Sequence, residues 1–175
     1  KRAGTHFVAG KKVDAIRRLA FREVRLRLDR RKIVTEYGIQ QFIFEKFAQR
    51  GLATDSPPMV GVNKPPANPH FEVSSKKSAR IREGDTLLID LWAKEKVADA
   101  VYYDSTWVAV VGAKIPQRYD RVWRVVRDAR DAAIRRVQQK NRRPCRGVDV
   151  DDAARGVIRR AGLGRYFIHR TGHSI

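Results

Sequence analysis

Two β-rich runs, Thr86 to Ala93 and Ala100 to Val111, flank a charged Lys94-Glu95-Lys96 bend, and each carries a carboxylate near its middle. Runs this rich in β-branched and aromatic residues pair as an antiparallel hairpin. Asp90 lies within Leu87-Leu88-Ile89-Asp90-Leu91-Trp92, and Asp104 within Val101-Tyr102-Tyr103-Asp104-Ser105-Thr106. A carboxylate among apolar strand residues is costly to bury unless something positive compensates it. With the bend centred on residue 97, Asp90 and Asp104 stand directly opposite one another on one face, with Cβ atoms about 4.5–5.5 Å apart. Like charges so placed repel, so either one is protonated or a cation sits between them. A pair of divalent ions about 3.5–4 Å apart matches two facing carboxylates. The plainer alternative is an edge position, or a partner for one of the chain's many arginines.

Helices are expected to cover one side of this hairpin. Val13, Ile16, Ala20, Val24 and Leu28 follow helical spacing over residues 13 to 33. Thr35 reads as the N-cap of the next helix, with Glu36 in its first turn suiting the helix dipole. That helix presents Ile39, Phe42, Ile43 and Phe47 on one side and stops at Gly51. A rigid loop with short extended pieces follows, through Ser56-Pro57-Pro58 and Asn63 to Pro69, and ends in His70-Phe71. Pro116 opens a helix carrying Tyr119, Val122, Trp123, Val126, Ala129, Ala133 and Val137. Asp149 caps another that ends at Gly162, and Tyr166-Phe167-Ile168-His169 reads as a strand. The order of long helix, short helix and Gly-Leu leading to an extended piece occurs twice, which suggests two related halves.

Composition narrows the class. A chain of 175 residues with 42% hydrophobic and 33% charged residues suits a globular domain with a real core. No apolar run approaches the ~18 residues of a membrane span. Lone Cys145 excludes a disulfide framework and a multi-cysteine zinc site, and points to a reducing, cytoplasmic setting. The net charge of +19 raises nucleic acid as a partner. Arg17, Arg18, Arg22, Arg25, Arg27, Arg30 and Arg31 decorate the first helix, and Arg121, Arg124, Arg127, Arg130, Arg135 and Arg136 the later one. These arginines circle their helices without interleaved exposed aromatics, which favours a solvated surface over a strand-binding platform. With Met59 as the one methionine and an apolar stretch at the end, the chain reads as a portion of a longer protein.

His169 and His173 form a His-x-x-x-His spacing around Arg170-Thr171-Gly172. On a helix the two would share a face, but Arg170 stands where a zinc-protease helix has glutamate. On a strand they share a face as well, two pleats apart. No nucleophile elbow, phosphate-binding loop or dinucleotide fingerprint is present.

These pieces together resemble the pita-bread metallopeptidases: aminopeptidase P, prolidase, methionine aminopeptidase and their creatinase relatives. The matching stretches are Gly61-Val62-Asn63 through Pro69-His70-Phe71, Gly84-Asp85 through Asp90-Leu91, and Tyr103-Asp104-Ser105-Thr106. Val148-Asp149-Val150-Asp151, Ala161-Gly162-Leu163-Gly164 and His169 to Ile175 complete the set, in the family's order. His-Arg-Thr-Gly-His is similar to the Xaa-Pro peptidase branch. The resemblance implies an α+β pita-bread fold, a curved and mostly antiparallel sheet covered by helices, with its C-terminal part missing. Residues 1–112 would be a first half with the metal-binding hairpin, and 113–175 the start of a second, pseudo-two-fold-related half.

The resemblance further implies that Asp90, Asp104 and His173 are metal ligands, with Asp104 bridging two divalent ions. These are expected to be manganese, with cobalt, zinc or iron as alternatives. His70 and His169 match the family's substrate-side histidines. The implied reaction removes the N-terminal residue of a peptide, with a metal-bridged hydroxide attacking the scissile carbonyl and a preference for the bond before proline. A homodimer is compatible with this reading. Three departures stand out. The family's two further glutamate ligands and another histidine would follow His173, the hairpin is a few residues longer than usual, and Trp107 replaces an arginine. The chain alone is therefore expected to be inactive or barely active. The alternative is a non-catalytic pita-bread module that binds nucleic acid, ribosomes or histones.

Overall fold

In the computed structural model, which describes residues 2–63, 71–139 and 144–173, the chain divides into two units, one ending at Lys114 and the other beginning at Ile115. His70 lies outside the described residues.

The first unit opens with helix α1 (Arg2–Asp29), which starts well before the apolar repeat that announces it. Its N-terminal turns hold small residues, and Ala9 and Gly10 are buried along with Val13, Ile16, Ala20 and Val24. Helix α2 (Glu36–Gln49) begins as its sequence predicts, the Thr35 hydroxyl accepting the Gly38 N–H at 3.0 Å. It ends at Gly51, whose φ of +67° suits a residue without Cβ.

Four strands form one antiparallel sheet: β1 (Leu52–Ala53), β2 (Met59–Val62), β3 (Thr86–Glu95) and β4 (Tyr103–Val110). Strand β3 is central, paired with β4 over residues 86–93, with β2 over 87–90 and with β1 at 94 and 95. Leu87, Ile89, Leu91 and Ala93 are buried against the helices, together with Ile16, Ile39, Ile43 and Phe47. The alternate residues of β3, including Asp90, point to the other face and stay half-buried. Period-two alternation thus separates a helix-covered face from an open one. A groove of about 590 Å³ between α1 and the end of β4, lined by Phe21, Val24, Leu28 and Leu87, lies on the helix-covered side, away from the carboxylates.

Close approach explains the glycine in mid-helix. A Cβ at Gly10 would come within 2.9 Å of Cδ2 and Cε2 of the Tyr103 ring on β4. Gly10→Ala gains about 1 kcal/mol of helix propensity but overpacks a rigid ring at about 1–3 kcal/mol. The expected net result is a loss of about 0–2 kcal/mol in urea unfolding. A stabilised variant would show that the ring moves aside freely.

The second unit consists of α3 (Gln117–Gln138), α4 (Gly147–Arg160) and a 3-10 turn at Gly164–Tyr166. Ala129, Ala133, Ala154 and Ile158 form its core, with Val125, Val157, Leu163 and Phe167 packed around them. Helix α4 starts three residues earlier than expected. Asp149 serves from the N3 position of a capping box, accepting the Arg146 N–H at 3.0 Å, and is not itself the N-cap. The expected strand at Tyr166–His169 does not form: a 3-10 turn leads into an irregular stretch through His173. A strand needs a neighbour to bond, and among the described residues none pairs with this stretch. No helix among the described residues is long and apolar enough to cross a membrane.

Candidate metal centre

Asp90 and Asp104 share the open face of the sheet, but they are not directly opposed. Asp90 pairs with Thr106, and Asp104 with Trp92. The two carboxylates are therefore diagonal neighbours, for which about 7–8 Å is typical. The expected register, with the bend at residue 97, is off by two. Strand β3 runs on through Glu95, and α1 holds the loop that follows. The Thr5 hydroxyl accepts the Val101 N–H at 3.1 Å, and the His6 ring N–H at Nδ1 donates to the Tyr102 carbonyl at 2.6 Å. Because the shift is even, both side chains stay on the same face.

Asp90 and Asp104 are both half-buried. The Thr106 hydroxyl donates to Asp90 Oδ1 at 2.7 Å. Among the described residues Asp90 has no ion-pair partner, so none of the described arginines is its partner. Met59 of β2 stands across from Asp90 on its other side. Trp92 donates its indole N–H to Asp55 at 2.8 Å and stacks on Tyr102 with ring centroids 4.3 Å apart. The Trp92 bond holds the Asp55 carboxyl below its ordinary range, opposed by burial and helped by Tyr102. Burial, and then the Asp55 contact, push the Tyr102 phenol up.

Trp107, the departure from the family's arginine, does not reach this face. It pairs with buried Ile89 on the helix side, where the Arg17 guanidinium lies 3.6 Å from its ring centroid. Its indole N–H donates to the Ser105 hydroxyl at 3.1 Å.

Asn63, which follows β2, has a left-handed φ of 61°. Its side chain donates to Asp85 Oδ1 at 2.9 Å and accepts the Thr86 N–H at 3.1 Å. Sequence reasoning quoted Asn63 and Asp85 without foreseeing that they bond to each other.

In the second unit His169 and His173 are exposed on the irregular stretch. His173 lines a cavity of about 600 Å³ with Gly147, Val148, Val150, Asp151 and Thr171. Asp151 organises this region. Its Oδ2 accepts the Arg155 Nε–H at 2.8 Å, and its Oδ1 accepts both the N–H and the hydroxyl of Thr171 at 2.8 Å. Arg155 foremost, and then the Thr171 N–H, hold the Asp151 carboxyl down to about 2. Asp151 belongs to the family-like stretch Val148-Asp149-Val150-Asp151, and for Arg155 the i,i+4 spacing from Asp151 is the sequence signal that could have singled it out. The structure thus brings Asp90 and Asp104 to one face of unit 1, and His169 and His173 to one stretch of unit 2. Among the described residues no cluster of three or more His, Cys, Asp or Glu side chains forms a ready-made ion site.

Helices on one face of an antiparallel sheet, with Asp90 and Asp104 on the other, are the arrangement that the pita-bread resemblance implied. The chain matches the family described as Metallopeptidase family M24 over residues 8–175, and it belongs to that family. It is 31% identical over 144 residues to a probable dipeptidase PepE of Mycobacterium bovis, covering 81% of this chain and 35% of the relative. It is 27% identical over 168 residues to an Xaa-Pro dipeptidase of Lactobacillus helveticus, covering 95% of this chain and 41% of the relative. The crystal structure of dipeptidase PepE from Mycobacterium ulcerans superposes with a TM-score of 0.78 at 25% identity, covering 98% of this chain and 42% of that one. The chain thus spans less than half the length of these relatives, and the expected pita-bread fold is borne out.

Proposed function

We propose that this chain carries part of a dinuclear metal centre in a peptidase that removes the N-terminal residue from peptides, preferring the bond before proline. The observation that supports this most is the Asp90 and Asp104 pair: two half-buried carboxylates on one open sheet face, with Asp90 held by a neutral hydroxyl and, among the described residues, by no cation. That donor chemistry fits hard divalent ions such as manganese, and His173 adds an imidazole that also suits cobalt, zinc or iron. Asp90, Asp104 and His173 would hold the ions, which when bound supply Lewis-acid polarisation and water activation. His70 and His169 would face the peptide and hydrogen-bond its carbonyls. Likeness to the Lactobacillus helveticus Xaa-Pro dipeptidase supports the proline preference. Exposed, free Cys145 is in keeping with a reducing cytoplasm.

The test is manganese titration of the 175-residue chain by calorimetry, alongside release of the first residue from an Xaa-Pro peptide. Weak binding and barely measurable turnover are expected, because three donors are few for two ions. No heat of binding at millimolar manganese would sink the metal reading. Robust turnover would overturn the expectation that these donors are too few.

The binding-module alternative rests on the +19 charge. On α3, however, Arg124, Arg127 and Arg130 are paired with Asp120, Asp128 and Asp131 at 2.7–2.8 Å. Retention of DNA or RNA is therefore expected to vanish at physiological ionic strength. Tight, sequence-independent binding that survives there would favour the module.

A further inference from the structure

Two side chains of α4 reach across to the stretch that carries the histidines. Asp151 and Arg155 sit one turn apart, and their side chains are each 22% exposed. Arg155 Nη1 donates to the Phe167 carbonyl at 2.9 Å, and Nη2 to the His169 carbonyl at 3.1 Å. The same guanidinium lies 4.4 Å from the centroid of the Phe167 ring. Asp151 Oδ1 takes the N–H and hydroxyl of Thr171, while Oδ2 holds Arg155 Nε. The pair thus fixes alternate residues Phe167, His169 and Thr171, and the next in that series is His173. An ordinary i,i+4 ion pair on a helix surface satisfies itself and touches nothing else. This one directs its remaining donors and acceptors to backbone twelve and fourteen residues ahead of Arg155, and twenty ahead of Asp151.

That stretch has no helix or strand to hold it, since it follows the 3-10 turn as irregular backbone. Its order comes from side-chain bonds. A fork of fixed, planar donors and a carboxylate that accepts on both oxygens suit this task, because each bond restricts direction as well as distance. Ligating and substrate-facing groups work best when a supporting shell locks them beforehand.

We propose that Asp151 and Arg155 are positioning residues: they strap residues 167–171 onto α4, so that His169 and His173 are set in place before any ion or peptide arrives. This rests on the reading that those histidines face substrate and ion. The strap itself can be judged apart from that reading.

The experiment is amide exchange and histidine ring NMR on the 175-residue chain, for wild type, Arg155→Lys and Asp151→Asn. Lysine keeps the charge beside Asp151, but its single ammonium cannot serve the carboxylate and two carbonyls together. Asparagine keeps the shape and sets an amide N–H or a weaker acceptor against Arg155. In Asp151→Asn the Thr171 amide should exchange about tenfold faster or more, the effect of losing one charge-assisted hydrogen bond, and in Arg155→Lys, which releases the Phe167 and His169 carbonyls, it should exchange faster by a smaller factor as the stretch loosens. The His169 and His173 ring signals should move toward unstructured positions, while Ile158 and thermal unfolding stay near wild type. Unchanged Thr171 exchange and ring signals in both variants would overturn the strap. So would a uniform loss of protection across unit 2, which marks a merely structural pair. A parallel manganese titration separates the two readings. Wild-type broadening at His173 that weakens in the variants supports both. No broadening in wild type, with exchange and ring signals still responding, supports the strap and overturns the metal assignment.

Discussion

Replacing Glu36 with alanine should remove about 3–5 kcal/mol of stability, a large part of what a domain of this size has. Glu36 is 1% exposed, and its two carboxylate oxygens end on different segments. Oε1 accepts the Val62 N–H at 2.9 Å, and Oε2 the Ala79 N–H at 2.7 Å. Hydrogen bonds to a charged acceptor contribute about 1.5–3 kcal/mol each, and a buried donor left unpaired adds its own desolvation penalty. Against this stands relief from burying a charge, which offsets part of the loss but restores neither N–H partner. Glu36→Gln should fall between, since one amide oxygen can serve only one of the two donors while its NH2 faces the other. Urea unfolding gives the magnitude, and amide exchange at Val62 and Ala79 gives the location. A loss below about 1 kcal/mol for the alanine variant would mean that water or a shifted backbone replaces the carboxylate. One buried side chain on α2 therefore holds the backbone at two points, Val62 and Ala79, that lie seventeen residues apart in the sequence.

Sequence alone read Glu36 as a partner of the helix dipole, and the reason it read no further is general. Local signals report local geometry: Thr35 caps α2 through the Gly38 N–H, and Gly51 and Gly162 end their helices at φ +67° and +74°. The β3 run was equally legible as a strand, but its alternation of burial was not, because Leu88 and Trp92 on the open face are apolar as well. Register was not legible either. The two-residue shift of the hairpin is set by α1 through Thr5, His6 and the contact of Gly10 with Tyr103, partners far away in the chain. The early turns of α1 escaped notice because they pack through Ala9 and Gly10, which give no apolar period. The Tyr166–His169 run has the composition of a strand, but its backbone is held by Arg155 and Asp151 and by no neighbouring strand. For Asp90 and Asp104 the shared face could be read from the sequence, whereas the register between them and the bonds that aim each side chain could not.

Asp90→Asn should separate two meanings of a carboxylate by moving stability and ion binding in opposite directions. Asparagine keeps an oxygen for the Thr106 hydroxyl, so the 2.7 Å bond seen with Asp90 Oδ1 can persist. What the substitution removes is charge on a half-buried position diagonal to Asp104. At about 7–8 Å and an effective dielectric near 20, that repulsion amounts to roughly 2 kcal/mol at most, and solvent at the open face reduces it. Without ions the variant should therefore unfold at the same urea concentration or a slightly higher one. With manganese the order should reverse: wild type should gain stability by binding an ion that its unfolded chain does not hold, and Asp90→Asn should lose that gain. The affinity loss should exceed the roughly 10–100-fold seen when only a supporting residue is removed. A carboxylate kept for structure behaves otherwise: its amide variant weakens the ion-free protein and leaves the response to manganese intact. Unfolding curves for both proteins, with EDTA and with manganese, distinguish these cases. Destabilisation of the ion-free variant together with an unchanged manganese shift would remove Asp90 from the ligand set.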